Sequence, residues 1–239
     1  LLKNYLYRIV YGWADKIIVN SLEFKEELSK KFNLDSICIY NPLNLDEITL
    51  LSRKKINISF FKKKNFNMIN VARLNEQKDQ MLLLNAIDKL KHIIPIKLLI
   101  IGSGIEKNNL LNFVQKNNLQ KIVKIIPFKQ NPFPYILKSD LFVLTSKYEG
   151  LPNILLEALS LKKIVLSSNC PTGPKEILDN GRGGFLYKNK NIKDLINKIL
   201  FIYKNKPYCK KKVTYGFKRL NRFNHKDNLE KYTNEIKLL

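Results

Sequence analysis

The chain has 239 residues, enough for one large domain or one and a half ordinary ones, and its 45% of hydrophobic residues suffices for a proper core. Lys and Arg number 43 against 20 Asp and Glu, and the net charge of +23 favours anionic partners such as nucleic acid, an anionic membrane or phosphorylated substrates. A general compositional bias toward Lys, Asn and Ile would produce the same charge without a dedicated binding patch.

The cysteines and histidines argue against several classes of site. Cys38, Cys170 and Cys209 are far apart and lack C-x-x-C pairing, so neither a zinc site nor a disulfide framework is indicated, and the pattern fits a reducing cytoplasm. His92 and His225 are isolated, which argues against a histidine metal site. No apolar run reaches the roughly eighteen residues of a membrane span.

The start of the chain has the pattern of a piece of a longer protein. It begins at Leu1 without a Met or a signal-peptide pattern, so we expect it to be cut from something larger. Residues 1–14 are amphipathic and aromatic, which predicts a helix that packs on a neighbouring domain. The alternative is that this helix, with Lys3, Arg8 and Lys16, lies on an anionic bilayer. We expect a cytoplasmic protein, with peripheral contact with the inner membrane face as an option.

A strand-helix-strand pattern follows the N-terminal helix. Residues 14–21 predict a short buried strand, and Ser21 is placed to cap a helix that runs to Lys30. Residues 38–40 predict a second short strand. The basic, loosely patterned stretch 54–64 is predicted to be a loop.

From Asn65 onward, apolar strands alternate with amphipathic helices. The predicted strands are residues 66–71, 96–101, 122–126, 141–145 and 164–168. The predicted helices are residues 79–92, 106–117, 133–138, 153–161, 191–204 and 227–238. Apolar strands that alternate with helices imply a parallel sheet covered on both faces. We therefore predict an α/β fold with a doubly wound, Rossmann-like sheet and a ligand at the carboxyl ends of its strands.

The sharpest functional signal lies in residues 140–161. An apolar strand leads into a short polar turn, and Pro152 occupies the position of a first helical residue. A helix start offers unpaired N–H groups and a positive dipole end, which suit a phosphate. Glu149 and Glu157 flank this start, and the hydroxyls of a sugar or ribose would explain carboxylates beside an anion site. An ordinary turn residue and a solvated helix residue are the alternative.

Glu149-Gly150-Leu151-Pro152 and Glu157 resemble the E-x7-E motif of retaining, nucleotide-sugar-dependent glycosyltransferases of the GT-B fold, family 4, also called glycosyl transferases group 1. The resemblance implies that Glu157 binds the ribose hydroxyls. It also implies that Glu149 binds the hydroxyls of the donor sugar and acts in catalysis. Gly150, Leu151 and Pro152 would then contact the donor diphosphate at the helix start.

A cationic loop follows the first strand of the predicted sheet. Arg73 and Lys78 can reach the crevice, where a guanidinium and an ammonium bind phosphate oxygens, and a solvated loop is the alternative. The stretch resembles the family's G-R-L-x-x-x-K-G element, whose Arg and Lys hold the nucleotide diphosphate. Ala72 and Asp79 stand in place of the two glycines, and these departures concern loop geometry rather than the cations.

Two further strand ends carry glycine or proline. Gly102 and Gly104 permit close backbone approach to a ligand, but Lys107 stands where the dinucleotide fingerprint has a third glycine, so an NAD site is weakly supported. The family has a similar glycine loop near the nucleotide. The resemblance also implies that Pro127 and Phe128 contact the base.

The resemblance spans about residues 14–186 and sets the domain assignment. Residues 1–41 correspond to the tail of a truncated N-terminal domain with the start of a linker, residues 42–205 to a nucleotide-sugar-binding Rossmann-like domain, and residues 206–239 to C-terminal helices. The stretch PTGPKEIL at 171–178 is similar to family members that transfer N-acetylhexosamines during surface-glycan assembly.

Together the motifs predict a glycosyltransferase that moves a hexose or N-acetylhexosamine from a UDP-sugar to a glycan or lipid-linked acceptor, with retention. No metal and no cofactor are expected, and the acceptor site would lie in the missing domain, so this piece alone should be inactive. Two alternatives stay open, a UDP-N-acetylglucosamine 2-epimerase-like enzyme and a basic nucleic-acid-binding module. The diffuse distribution of Lys and Arg along the sequence argues against specific binding of nucleic acid.

Overall fold

The computed structural model describes residues 8–238. In the N-terminal segment, strands β1 (Ile18–Val19) and β2 (Ile37–Cys38) form a two-stranded parallel sheet and are joined by helix α1 (Leu22–Phe32). The predicted strand-helix-strand order is confirmed. Both strands are shorter than predicted because only two residues of each take part in the pairing.

Helix α1 begins where the sequence predicts. The hydroxyl of Ser21 accepts a hydrogen bond from the amide of Phe24 at 3.2 Å, the usual N-cap interaction of a serine. The helix stops at Asn33, which adopts a left-handed φ of 53°. Of the predicted N-terminal helix, residues 8–12 are helical, and residues 1–7 lie outside the described part of the chain.

The main sheet has six strands and is parallel throughout. The strands are β3 (Phe66–Val71), β4 (Ile96–Ile101), β5 (Val123–Ile126), β6 (Leu141–Leu144), β7 (Ile164–Ser168) and β8 (Phe185–Tyr187). They pair in the order β5-β4-β3-β6-β7-β8. Most of their side chains are buried and apolar, as expected for strands covered on both faces. Chain order reverses between β3 and β6, and doubly wound sheets bind ligands at such a switch point.

Helices cover both faces of the sheet. They are α2 (Leu45–Ser52), α3 (Gln80–Leu90), α4 (Lys107–Lys116), α5 (Phe133–Leu137), α6 (Asn153–Ser160), α7 (Pro174–Ile177), α8 (Ile192–Lys204), α9 (Lys206–Lys218) and α10 (His225–Lys237). Helices α3, α4 and α8 bury their apolar sides in the core on one face. Helices α2, α5 and α6 do so on the other. The predicted doubly wound α/β fold is confirmed.

Two elements differ from the sequence prediction. Helix α2 lies in a stretch for which the sequence analysis predicts no helix, and the side chain of Asn44 caps it by accepting a hydrogen bond from the amide of Glu47 at 3.1 Å. Strand β8 has three residues, too few for a periodic signal. Predicted helix ends elsewhere shift by one or two residues because caps such as Asp79 and Asn191 lie just outside their helices.

The predicted C-terminal unit, residues 206–239, divides between two packing partners. Helix α9 packs against β7 and α6 of the sheet domain. Helix α10 returns to the N-terminal segment, where Lys16 Nζ lies 2.8 Å from Glu235 Oε2 and the Tyr232 hydroxyl donates to the carbonyl of Ile39 at 3.3 Å. None of the helices within residues 8–238 combines the length and apolar character that crossing a bilayer requires.

Candidate active site

A cavity of about 640 Å³ opens at the carboxyl ends of β3, β4, β5 and β6. Most residues predicted for the site line it, namely Arg73, Lys78, Gly102, Phe128, Glu149, Leu151, Pro152 and Glu157. Because the strands are parallel, loops that are distant in sequence meet at this one edge of the sheet. The structure therefore brings the two predicted cations and the two predicted carboxylates to the same cavity.

The loop after β3 presents Arg73 with an exposed side chain. The buried side chain of Gln80 donates from Nε2 to the carbonyl of Arg73 at 2.9 Å and so anchors the loop backbone. Among residues 8–238, no side chain pairs with the guanidinium. Its N–H donors are thus available to an anionic ligand.

Asp79 explains how this loop forms without the second glycine of the family element. It adopts a left-handed φ of 46°, and its carboxylate accepts a hydrogen bond from the amide of Leu82 at 3.3 Å as the N-cap of α3. An aspartate tolerates this conformation better than most residues because its short side chain bonds locally. Ala72, at the other departure, is not in the left-handed region and needs no glycine there.

Lys78 and Glu149 form an ion pair at the wall of the cavity. Lys78 Nζ lies 2.5 Å from Glu149 Oε1, and the two side chains are 12% and 7% exposed. Removal of one partner of so buried a pair would leave an uncompensated charge. Two residues predicted to hold different parts of a ligand therefore also contact each other.

Hydrogen bonds join the two loops that carry this pair. The Thr145 hydroxyl donates to the carbonyl of Lys78 at 2.8 Å. Gln77 Nε2 donates to the carbonyl of Tyr148, the residue before Glu149, at 2.9 Å. The relative position of Lys78 and Glu149 is thus set by backbone contacts as well as by charge.

Helix α6 begins at the cavity wall. Asn153 is its first residue, as predicted for the helix over 153–161, and Pro152 is its N-cap rather than a helical residue. No side chain caps the helix, and the amide of Leu155 donates to the carbonyl of Pro152 at 2.9 Å. The amides of Asn153 and Ile154 have no hydrogen-bond partner among residues 8–238 and are open to an anion. Leu151 and Pro152 line the cavity, whereas Gly150 does not.

Glu157 lies within α6, on the wall of the same cavity. Its carboxyl has no hydrogen-bonding or ionic partner among residues 8–238, and burial raises its pKa from 4.5 to about 7. A carboxyl in this environment is costly to ionise unless donors are supplied. Hydroxyl groups of a ligand would supply them.

Gly102 and Gly104 hold the loop after β4 against the loop after β3. A Cβ atom on Gly102 would lie 1.9 Å from the carbonyl oxygen of Ala72. A Cβ atom on Gly104, whose φ is +153°, would lie 2.2 Å from the carbonyl oxygen of Leu74. Of the two glycines, Gly102 lines the cavity, while Gly104 permits the close approach of the loops.

Pro127 and Phe128 face different spaces. Phe128 lines the cavity, is 68% exposed, and donates from its amide to the Ser103 hydroxyl at 3.2 Å. Pro127 lines a separate groove with Phe60 and Tyr135. The structure therefore does not bring Pro127 together with the other predicted site residues.

The sequence analysis missed several side chains of the cavity. They are Ser103, Lys129, Gln130, Phe133, Asn153 and Ile154. Lys129 and Gln130 come shortly after β5, so the strand-end rule that selected Arg73 would also have found them. Phe133 begins α5 and carries no polar signal in the sequence.

The cavity suits an anionic group next to hydroxyl-bearing rings. Arg73, Lys78 and the start of α6 supply positive charge, and Glu149 and Glu157 supply hydrogen-bond acceptors. Between residues 8 and 238, no group of three or more His, Cys, Asp or Glu side chains is placed to hold a metal ion. Independence from metal stays a prediction.

In doubly wound parallel sheets, a cavity at the switch point is the usual place for a ligand to bind. The family model of glycosyl transferases group 1 matches residues 52–219, and the chain belongs to this family. The group 1 assignment made from the motifs is thereby confirmed. Retention and membership of family 4 stay predictions.

The chain is similar to longer glycosyltransferases. It is 37% identical over 179 residues to an uncharacterized glycosyltransferase of Methanocaldococcus jannaschii, a match that covers 72% of this chain and 44% of the relative. It is 29% identical over 225 residues to the N-acetylgalactosamine-N,N'-diacetylbacillosaminyl-diphospho-undecaprenol 4-alpha-N-acetylgalactosaminyltransferase of Campylobacter jejuni, covering 89% of this chain and 60% of that protein. The chain thus spans about half the length of these relatives.

A solved structure supports the fold. The crystal structure of Anabaena HepE in complex with UDP and glucose matches with a TM-score of 0.85 at 18% identity, over 100% of this chain and 67% of that one. The fold is therefore the Rossmann-like fold of GT-B glycosyltransferases.

Proposed function

We propose that this chain is the donor-binding part of a glycosyltransferase that moves a hexose or N-acetylhexosamine from a UDP-sugar to a lipid-linked or glycan acceptor, with retention. The observation that carries the proposal is the meeting of Arg73, Lys78, the start of α6, Glu149 and Glu157 in one cavity. Because the relatives are longer than this chain, we expect residues outside it to complete the acceptor site.

The leaving group of the proposed reaction is a nucleoside diphosphate. Negative charge develops on its phosphate as the glycosidic bond breaks, and preorganised donors stabilise that charge. The guanidinium of Arg73 and the open amides at the start of α6 would take this role, since both lie at the cavity. Lys78 contributes in one of two ways. Its ammonium contacts the phosphate and Glu149 together, or it leaves Glu149 and pairs with the phosphate instead.

The two carboxylates divide the hydroxyl groups of the donor between them. The Glu157 carboxylate accepts no hydrogen bond from residues 8–238, and hydrogen bonds from ribose hydroxyls would stabilise its ionised form. Glu149 precedes the start of α6 and is paired with Lys78, and its carboxylate accepts hydrogen bonds from hydroxyls of the transferred sugar. This assignment follows the order of the E-x7-E motif.

The relatives support the chemical class of donor and acceptor. The Campylobacter jejuni protein is named for transfer of N-acetylgalactosamine to a diphospho-undecaprenol-linked glycan, and the Anabaena structure holds UDP and glucose. By analogy we propose UDP as the donor nucleotide and a lipid-linked glycan as the acceptor.

The described cysteines are free, which fits the proposed cytoplasmic location.

Calorimetric titration of UDP tests the proposal. The chain should bind UDP, and Arg73→Ala should weaken binding by about tenfold or more, since a charge-assisted phosphate contact contributes about 1.5–3 kcal/mol. Arg53→Ala, outside the cavity, is the matched control and should leave the affinity unchanged. Equal affinity for UDP in the Arg73→Ala variant would remove the diphosphate role of this residue.

The epimerase alternative makes a different prediction. Such an enzyme would convert UDP-N-acetylglucosamine to its 2-epimer without an acceptor. NMR of the sugar nucleotide, incubated with the longer protein in the absence of acceptor, should show no epimer. Appearance of the epimer would replace the transferase proposal.

A groove lined by segments without acidic residues lies beside β5, at the edge of the sheet. Residues 48–75 and 107–139 contain no Asp or Glu. They meet in this groove of about 270 Å³, whose lining includes Phe60, Lys124 and Lys129. The Nζ of Lys97 lies 5.2 Å from the centroid of the Phe60 ring, and burial and the neighbouring Lys62 and Lys64 lower the pKa of Lys97.

We propose that this basic groove, rather than the N-terminal helix, meets an anionic membrane that carries the acceptor. Trp13 is 83% exposed, but Lys16 is paired with Glu235. The double variant Lys62→Glu, Lys64→Glu should lower co-sedimentation with phosphatidylglycerol vesicles, whereas Trp13→Ser should not. Loss of co-sedimentation in the Trp13 variant alone would assign the membrane contact to the N-terminal helix.

Salt-dependent binding of duplex DNA without UDP binding would favour the nucleic-acid alternative.

A further inference from the structure

Two helix starts, one from the N-terminal segment and one from the sheet domain, exchange caps. The carboxylate of Glu176, in α7, accepts hydrogen bonds from the amide of Leu22 at 3.1 and 3.0 Å and from the amide of Glu23 at 3.3 Å. In return, the carboxylate of Glu23, in α1, accepts from the amide of Gly173 at 2.8 Å. Each carboxylate thus satisfies orphan amides at the start of the other helix.

A third contact fastens the same junction. The hydroxyl of Tyr40, just after β2, donates to Glu176 Oε1 at 2.5 Å. One carboxylate therefore ties together the helix and the strand end of the N-terminal segment. Charge-assisted hydrogen bonds of this kind are roughly twice as strong as neutral ones.

The residues beside Gly173 hold the backbone of the candidate catalytic loop. The amide and the hydroxyl of Thr172 donate to the carbonyl of Glu149 at 3.1 and 3.0 Å, and the hydroxyl also lies 3.1 Å from the carbonyl oxygen of Gly150. The amide of Glu149 donates to the carbonyl of Pro171 at 2.7 Å. Both the amide and the carbonyl of Glu149 are therefore hydrogen-bonded to residues 171–172, next to the Gly173 amide that Glu23 caps.

Gly173 makes the contact between the two loops close. Its φ is +90°, and a Cβ atom at this position would lie 2.2 Å from the carbonyl oxygen of Gly150. A shift of Gly173 is thus transmitted to the 149–150 backbone by direct contact, without a side chain that could absorb it. Glu23 contacts Gly173, and Gly173 contacts Gly150, the residue after Glu149. Glu23 is thus linked to Glu149 although the two residues are far apart in sequence.

We propose that Glu23 is a positioning residue for Glu149, and that the N-terminal segment thereby sets the placement of the sugar-binding carboxylate. This inference rests on the proposed role of Glu149 in holding the donor sugar. Its consequence is that a displacement of the N-terminal segment changes recognition of the sugar and leaves recognition of the nucleotide intact. If Glu23 only joined the N-terminal segment to the sheet domain, its loss would not affect sugar recognition while leaving nucleotide recognition intact.

Amide hydrogen exchange, followed by NMR on the whole chain, tests the relay without any ligand. Glu23→Ala should accelerate exchange at the amides of Glu149 and Thr172 by about tenfold, because their partners lose a fixed position. Glu26→Ala, on the same helix and in an exposed pair with Lys30, is the control and should leave both rates unchanged. Glu23→Gln keeps an acceptor oxygen and should retain slow exchange. Acceleration confined to Gly173 would overturn the relay.

Binding measurements then separate this inference from the proposed function. Titrations of UDP and of UDP-N-acetylglucosamine should show that Glu23→Ala leaves the affinity for UDP unchanged and removes the additional affinity contributed by the sugar. Glu149→Ala should also remove the additional affinity contributed by the sugar, and the double variant should lose no more of it. Failure of the parent chain to bind UDP would count against the proposed function, while the exchange rates would still decide the relay. An unchanged sugar contribution in Glu23→Ala, with loss in Glu149→Ala, would overturn the relay alone.

Discussion

Replacing Glu157 by Gln should stabilise the folded chain at neutral and alkaline pH. Burial raises the pKa of this carboxyl from 4.5 to about 7, so the folded protein bears an ionised group in an unfavourable environment above that pH. At 1.36 kcal/mol per pKa unit, the full cost of ionisation is about 3 kcal/mol. Because the carboxyl borders an open cavity, we expect Glu157→Gln to raise the free energy of unfolding by about 1–3 kcal/mol at pH 8.

The sign of the pH dependence follows from the raised pKa. Below about pH 4.5 the carboxyl is protonated in both the folded and the unfolded chain, so it imposes no cost. Between pH 4.5 and about 7 the unfolded chain releases the proton first, and the folded state loses stability as pH rises. Above that range the cost is constant. Glu157→Gln should therefore match the parent chain near pH 4.5 and exceed its stability at pH 8.

Urea denaturation at pH 4.5, 6 and 8 measures this difference as a shift in the free energy of unfolding. Glu230→Gln, an exposed position on α10, is the control for removal of one negative charge. The same Glu157→Gln variant should bind UDP more weakly, since a neutral amide is a poorer acceptor for ribose hydroxyls. A stability difference that is the same at all three pH values would show that burial does not raise the cost of ionising this carboxyl. Unchanged affinity for UDP would refute the ribose assignment.

Three further predictions concern the neighbouring loops. Asp79→Ala should lower the free energy of unfolding by about 1–3 kcal/mol in urea denaturation, because it removes the cap of α3 and leaves a strained left-handed residue; Asp79→Gly should cost less. Lys78→Met should destabilise by about 3–5 kcal/mol by leaving Glu149 buried without its partner, and adding Glu149→Gln should restore much of the loss; a purely additive double variant would contradict the pairing. Glu149→Ala should reduce sugar transfer to acceptor far more than UDP affinity, and full transfer activity would end its catalytic assignment.

Several features of the site could be predicted because they are encoded within a few residues of sequence. The apolar run 141–144, the turn after it and the helix from Asn153 identify one strand end, and Arg73 and Lys78 identify another. Parallel strands place such ends on one edge, so their convergence followed from the fold class alone. The Asp79 departure was correctly assigned to loop geometry, but its capping role needed the backbone conformation.

Contacts between distant residues could not be read in the same way. Glu149 pairs with Lys78 across 71 positions of sequence, and Glu23 reaches Gly173 across 150. Pro127 lies in a motif near the nucleotide by resemblance, yet it lines another groove than its neighbour Phe128. Such orientations depend on how each loop leaves its strand.

Local patterns in the sequence are enough to predict the α/β class, most of the strands and helices, and the chemical types gathered at the strand ends, because hydrophobic period and capping residues act within a few positions of the chain. Which side chains contact each other depends on the tertiary fold. It paired Lys78 with Glu149, left the Glu157 carboxyl without a donor from the described chain, and joined the N-terminal segment to the catalytic loop through Glu23. The physical reason is that these contacts arise from the packing of crossover connections, whose geometry no single segment contains.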